Sequence, residues 1–463
     1  MKLAHDLPSK FERACKEKSL VNKDDGVIVA VSGGVDSVVL LDLLSKLQHK
    51  YGLRLRVAHF NHQLRGKESN GDEALVHKLA EKYGFPFDVE RMDTAAYAKS
   101  QRVSVQEAAR ELRYDFLTKL SKENGAYKIA TAHNANDNAE TLLLNLCRGA
   151  GISGLSGIPL YRPDLNVIRP LLFATRSEIE TYARLGGLKF RTDSSNRKLQ
   201  YKRNFIRKKV LPLLQVSLNP EIIRTLNRTA EIFRRLEGMI LREANSQLER
   251  LTVRKAKDRV SLNLTDFKKL DPFLQDTIVE LVARPFTGIP LESGKVSRIL
   301  SLLSSKVGKR IEASKNLVVY RDREQLVFTS GRKFLNLRED VKPNRSYTFG
   351  PFRFSSKTVP RRAVRWTEDR NAEFVDADRL NNLLVLRRWK KGDWFVPLGM
   401  GKRKKLSDFF IDEKIPLDEK ESIPVLESHG NIVWVCGVRL DNRYRITPTT
   451  RKVLKLEFEN KES

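Results

Sequence analysis

Between an apolar run and a helical one sit Ser32-Gly33-Gly34-Val35-Asp36-Ser37. Adjacent glycines let the backbone turn sharply and come close to a ligand. A helix starting here offers unpaired N–H groups and a partial positive charge, which suit phosphates. Ser32 and Ser37 add hydroxyl donors. Asp36 is the odd member, because a carboxylate repels phosphate unless a divalent cation lies between them. The expected partner of Asp36 is therefore Mg²⁺. A Walker loop, GxxxxGK[ST], is absent from the chain.

Further segments carry groups able to act beside such a loop. His59-Phe60-Asn61-His62-Gln63-Leu64-Arg65 follows a second apolar run. Glu107, Arg110, Arg113 and Tyr114 fall on one helical pattern. Arg110 and Arg113 share a face, where they serve either a phosphate or the solvent. His133-Asn134-Ala135-Asn136-Asp137-Asn138-Ala139-Glu140-Thr141 opens another helix, with Asp137 and Glu140 again three apart. Two readings of that pair are compatible: acids capping a helix N-terminus, and acids binding and activating an amine. Asp193-Ser194-Ser195-Asn196 precedes Tyr201-Lys202-Arg203-Asn204-Phe205-Ile206-Arg207. Seven basic residues and no acid lie between Arg197 and Lys209. Tyr201 and Phe205 interleave as base-stacking groups, which favours RNA over a merely solvated helix.

The elements that must position these groups are readable. GVIVAV (26–31), LRLRVAHF (53–60), FPFDVERM and YKIATAH (127–133) are strand-like, and helical patterns separate them. This alternation predicts an α/β, doubly wound parallel sheet over residues 1–215, with ligands at the carboxyl ends of its strands. Leu236, Ile240, Ala244 and Leu248 keep helical spacing, so 216–330 is expected to be mainly helical, ending in short strands. Residues 331–383 read as connecting strands and loops, and 384–463 as a small α+β domain. The helices after residue 220 suit a homodimer as readily as an internal core. Lys+Arg 86 against Asp+Glu 57 gives a net charge of +29, a field that attracts polyanions. Cys15, Cys147 and Cys436 form no CxxC pair, against a disulfide framework or metal cluster. With no secretory signal and no bilayer-length apolar run, a cytoplasmic protein without a membrane partner is expected.

The SGGVDS loop resembles that of the PP-loop ATP pyrophosphatases, which cleave ATP between the α- and β-phosphates. The resemblance implies that Ser32, Gly33, Gly34, Val35, Asp36, Ser37 and His59 bind ATP. Four other segments resemble the lysidine synthetases within that superfamily: HFNHQLR (59–65), HNANDNAET (133–141), DSSN (193–196) with RNFIR (203–207), and GDWFVPLGM (392–400) running into KRKKLSDFFIDEKIP (402–416). IVWVCGVR departs from that family by placing Cys436 where proline is commoner. The implied reaction joins L-lysine to the wobble cytidine of an isoleucine tRNA with a CAU anticodon, using ATP and Mg²⁺. Asp36, Asp137, Glu140, His133 and Arg113 are the implied catalytic residues. Arg110, Arg203, Asn204, Arg207, Arg387, Arg388, Lys402, Arg403, Lys404 and Lys405 are the implied tRNA contacts. A thiolase on the same loop would need a persulfide cysteine. An amidating synthetase would need an ammonia source, and a passive RNA binder leaves Asp36 unexplained.

Overall fold

The computed structural model describes residues 6–125, 127–191, 202–330, 338–349, 352–364, 369–381, 383–416, 419–420, 423–460. The chain forms two compact units, residues 1–240 and 241–463.

The first unit is built on a six-stranded sheet. Helix α1 (Leu7–Glu17) leads to β1 (Gly26–Ala30), α2 (Val35–Tyr51), β2 (Arg54–Asn61), α3 (Lys67–Tyr83) and β3 (Phe87–Arg91). Then come α4 (Thr94–Gln101), α5 (Val105–Glu123), β4 (Lys128–Ala130), α6 (Ala135–Cys147), α7 (Ile152–Leu155), β5 (Tyr161–Arg162), β6 (Val167–Ile168) and α8 (Arg176–Leu185). Strand order is β3-β2-β1-β4-β6-β5, parallel except for the β5–β6 pair. Alternate residues of β1 serve opposite faces, as strand pleating requires. Val27 and Val29 pack with Leu40, Leu44, Phe11 and Ile179 from α2, α1 and α8. Ile28 packs on the other face with Leu112, Phe116 and Leu117 of α5. Burial on both faces explains why β1 reads as an unbroken apolar run.

Beyond α8 the described chain resumes with α9 (Lys202–Phe205), a π-helical turn at Ile206–Val210, α10 (Leu211–Ser217) and α11 (Ile222–Leu251). Ile206, Leu211 and Ile223 pack on Ala135 and Ala139 of α6. That small core fixes the basic segment over the helix carrying Asp137 and Glu140.

The second unit adds to two expectations. The middle region is mainly helical, with Pro272–Thr287 and Ser293–Leu300 following α11, and its strands form a five-stranded antiparallel sheet. Its last three strands, Arg310–Ser314, Leu317–Asp322 and Gln325–Thr329, match the expected ones. The missed hairpin is Thr252–Ala256 with Arg259–Asn263. Most of its first strand is exposed, so lysine and arginine on an edge hide the alternation. Residues 331–383 hold strands as expected, and these join sheets with strands that lie after residue 383. Arg338–Val341 pairs with Leu384–Arg388, and Phe352–Val359 and Ala372–Asp376 both pair with Val453–Asn460. Phe349, Phe354 and Val375 join Leu384, Trp434 and Leu456 in one core. Their pairing partners lie far along the chain, so the local pattern shows strands but not the sheets they join.

Candidate functional site

The SGGVDS loop leaves the end of β1 and enters α2. Gly33 adopts φ +86°, a conformation that a side chain would strain. Gly34 caps α2 without a side-chain hydrogen bond, so the helix N-terminus keeps amides for a ligand. Ser37 Oγ donates to Gly34 O at 2.8 Å and accepts from Ser32 N at 3.1 Å. The loop is thus braced from within. His59 is 4% exposed, and its Nδ1 lies 2.8 Å from Val31 O. It braces the strand end just before the loop, and burial holds its ring below the usual imidazole range. Across the loop, Arg191 N donates to Gly33 O at 3.0 Å, and Arg191 Nε pairs with Asp72 at 2.7 Å. Arg65 takes the other oxygen of Asp72 at 2.7 Å.

Asp36 points from the first turn of α2 toward the start of α6. It accepts from Asn134 Nδ2 at 3.1 Å and pairs with Arg176 Nη1. Burial pushes its carboxyl up to about 6, with Asp137 adding to the rise and Arg176 and Asn134 opposing it. Asn134 is also the N-cap of α6. Its Oδ1 accepts from the amides of Asn136 and Asp137, while Asp137 Oδ2 accepts from Asn134 N at 3.1 Å. The capping reading of Asp137 therefore holds, and the same residue reaches into the cleft. One side chain, Asn134, ties the phosphate-loop acid to the second acid.

Glu140 lies one turn further along α6, with a fully buried side chain. Its two oxygens take Arg203 Nε at 2.7 Å and Arg207 Nε at 2.6 Å. Both guanidiniums also reach Asp137 Oδ1, at 3.2 and 3.1 Å. The expected RNA-binding arginines are thus engaged by the acid pair in this state. The π-helical turn carrying Arg207 sets its register, and such turns are frequent at functional sites. Phe205 is 53% exposed, available for stacking. Asn204 is half-buried and has a partner of its own. Asp193, Ser194, Ser195, Asn196 and Tyr201 lie outside the described residues.

His133 follows β4, its Nδ1 3.1 Å from Thr131 Oγ1. Burial drives its pKa well down, and Arg169, Arg113, Arg203 and Arg110 add to that, so the ring is neutral at pH 7. Arg110 and Arg113 place their guanidiniums 5.1 and 5.5 Å from the Tyr114 ring. Arg110 is exposed, whereas Arg113 Nε is buried.

In the second unit the basic cluster divides. Arg387 is 8% exposed and paired with Asp393 at 2.8 Å and Glu427 at 2.5 Å. Expected as a tRNA contact, it is instead a structural clamp between neighbouring strands and a turn. Lys404 pairs with Asp412, and Arg388 is half-buried with a partner. Lys402, Arg403 and Lys405 are exposed, with Arg403 4.0 Å over the Trp394 ring.

Comparison with known proteins fits this geometry. A family model for the PP-loop domain matches residues 3–214, and one for the TilS substrate C-terminal domain matches 384–457. The tRNA(Ile)-lysidine synthase of Dehalococcoides mccartyi is 33% identical over 98% of this chain and 99% of its own length. That of Parabacteroides distasonis is 36% identical, covering 95% of this chain and 97% of its own. The chain belongs to the tRNA(Ile)-lysidine synthase family. For a member of this family, ATP is the nucleotide that the loop serves.

A single carboxylate suits Mg²⁺, which takes one or two carboxylates and completes its shell with phosphate and water. Asp36 already attracts a cation, Arg176, on one oxygen. No group of three or more metal-ligating side chains occurs among the described residues. Sequence reasoning missed Asn134, Arg176, Arg169 and Arg191 as members of this lysidine synthase cleft. Only Asn134 carried a readable cue, as an N-cap residue with an acid three positions on.

Proposed function

We propose that this cleft joins L-lysine to C2 of the wobble cytidine of a CAU-anticodon isoleucine tRNA. ATP first adenylates the cytidine, and lysine then displaces AMP. The observation that carries this reading is the hydrogen-bonded path Asp36–Asn134–Asp137, which joins a phosphate cradle to an acid pair. Cytosine's C2 oxygen is a poor leaving group, and attachment to AMP makes it a good one. Bound at Asp36, Mg²⁺ would neutralise charge on the departing pyrophosphate.

Lysine attacks through a neutral ε-amine. From a pKa near 10.4, deprotonation at pH 7 costs about 4.6 kcal/mol, so a carboxylate base helps. We assign that role to Asp137. Its side chain is 18% exposed, whereas Glu140 is sealed and has both oxygens on arginines. Arg203 and Arg207 are cations held where an ammonium group would sit. Lysine entry replaces part of that pairing and frees a guanidinium for the adenylate or the RNA backbone, beside Asn204 and Arg113. His133, neutral and next to the acids, serves as a hydrogen-bond donor. Lys402, Arg403 and Lys405 face the tRNA body. Thiolation fits less well: Cys15 and Cys436 are buried, burial pushes the Cys15 thiol up to about 12, and the exposed Cys147 ends α6, about 15 Å along the helix from Asp137. No helix among the described residues is long and apolar enough to cross a membrane, and a cytoplasmic site of action is proposed.

The test is incubation with labelled lysine, ATP and tRNA transcripts. Lysine should enter only the CAU-anticodon isoleucine transcript. ATP binding without lysine in any transcript would sink the assignment.

A further inference from the structure

Arg169 directly follows β6 and is 2% exposed. Its Nη1 donates to Pro159 O at 2.6 Å, but its Nε is buried with no acceptor. Arg113 Nε and Thr118 Oγ1, both on α5, are likewise buried and unpartnered, and the Tyr114 hydroxyl is buried with Arg169 as its neighbour. Neither Arg113 nor Arg169 pairs with a carboxylate among the described residues. The charged groups acting on Arg113 are Tyr114 and Arg110, and those acting on Arg169 are Tyr114, Arg162 and Arg110. Arg162 is itself matched by Asp164 at 2.5 Å.

Arg169 is withdrawn from water and Arg113 is half-buried with its Nε sealed, and holding both without a carboxylate counter-charge is unfavourable. A single carbonyl on Arg169 does not neutralise them. The contrast within the cleft is sharp, since Arg203 and Arg207 have Glu140 and Asp137. The surrounding groups register the imbalance. Burial opposes ionisation of the Tyr114 phenol, yet Arg113, Arg169 and Arg110 draw it below its ordinary range. The same arginines help to keep His133 neutral.

We propose that Arg169, Arg113 and the Tyr114 hydroxyl frame a phosphate-binding site beside His133, separate from the cradle of the SGGVDS loop. Guanidinium forks match phosphate oxygens in pairs, and a phenol adds a third donor. Leu112, Phe116 and Leu117 of α5 pack on the sheet face opposite α2. This face lies away from the helix whose N-terminus follows the SGGVDS loop. The phosphate comes from one of two sources, the RNA backbone next to the reacting cytidine or the α-phosphate of the nucleotide. The proposal rests on the RNA-and-ATP reading only for that choice of source.

The experiment compares the full-length protein with Arg169→Gln and Tyr114→Phe. Inorganic phosphate, titrated against chloride at constant ionic strength, should raise the melting temperature of the wild type clearly more than that of Arg169→Gln, which keeps only the SGGVDS cradle. Affinities for ATP and for the tRNA transcript are then measured separately. A loss of about tenfold or more in tRNA affinity with ATP unchanged assigns an RNA phosphate. The reverse assigns the nucleotide. If phosphate, ATP and tRNA all bind both variants as tightly as the wild type, no phosphate occupies the site. Tyr114→Phe removes only the hydroxyl, so it decides the matter if Arg169→Gln fails to fold. Lysine incorporation is scored on the same samples. A wild type that takes up phosphate but transfers no lysine would refute the reaction and not this site.

Discussion

The basic segment Lys202–Lys209 and the basic segment Arg387–Lys405 look alike as strings of arginine and lysine. In the first, Arg203 and Arg207 are bound to Glu140 and Asp137, while Lys208 and Lys209 face solvent. In the second, Arg387 is bound to Asp393 and Glu427, while Lys402, Arg403 and Lys405 are exposed. Each stretch thus mixes matched cations, which shape the fold, with unmatched ones, which are available to a polyanion. The difference lies in what the matched ones do. Those of the first unit bind the acid pair at the cleft, whereas Arg387 ties neighbouring strands and a turn together. Charge counts do not separate these jobs, whereas the reach of a carboxylate does.

The largest expected effect lies at the matched acid of the phosphate loop. Asp36→Asn should lower AMP release by at least about 10²–10³-fold, with filter-retained tRNA unchanged. Turnover close to wild type would remove Asp36 from the mechanism. Glu140→Gln comes next. It deprives two guanidiniums of their buried partner, an effect of about 3 kcal/mol, at the low end because both arginines keep solvent contact. Denaturant unfolding should show that loss, together with impaired lysine transfer. Arg387→Ala should cost a similar amount of stability in the second unit and leave ATP-dependent AMP formation on a short anticodon stem-loop intact. A stable Arg387→Ala protein with weakened tRNA binding would return Arg387 to the RNA-contact class.

Much of this was legible in the sequence. The unbroken apolar β1, the glycine pair and the alternation of strand and helix placed Asp36, Asp137 and Glu140 at one sheet edge. What escaped is instructive. Arg176 and Arg169 stand in ordinary surroundings in the chain, and only the fold carries them to Asp36 and to Tyr114. The clamp made by Arg387 depends on Glu427, forty residues away in sequence but on the next strand. Likewise the strands within 338–376 are completed by Val453–Asn460 and Leu384–Arg388, so their local composition could not assign them to sheets. Long-range pairing is what a local pattern lacks.

A smaller effect tests a half-buried carboxyl with no ion-pair partner among the described residues. Burial pushes the Glu373 carboxyl up to about 7, against the pull of Arg439. The folded state then binds more protons than the unfolded state between pH 4.5 and 7. Stability of the second unit should fall as pH rises through that window and level off above it, by on the order of 2–3 kcal/mol. Glu373→Gln should flatten the profile and stabilise the protein at pH 8. An unchanged slope would place the titrating group elsewhere.

The smallest effects belong to the unmatched cations, and they complete the comparison. Lys402→Ala and Lys405→Ala remove exposed charges that no described carboxylate holds, so stability should stay within about 0.5 kcal/mol of wild type. Their effect should appear in binding. Each backbone phosphate left without its cation makes the fall of log affinity with log salt shallower by about 0.9 for a duplex. Affinity should drop several-fold at low salt and converge toward wild type as salt rises. Arg403 differs, because its guanidinium stacks on Trp394; Arg403→Lys should keep most of the salt slope but lose the planar stack. If Lys402→Ala and Lys405→Ala leave the slope unchanged, exposure is not sufficient to mark an RNA contact. The tRNA body would then be sought along the other exposed lysines, beginning with Lys208 and Lys209 of the first unit.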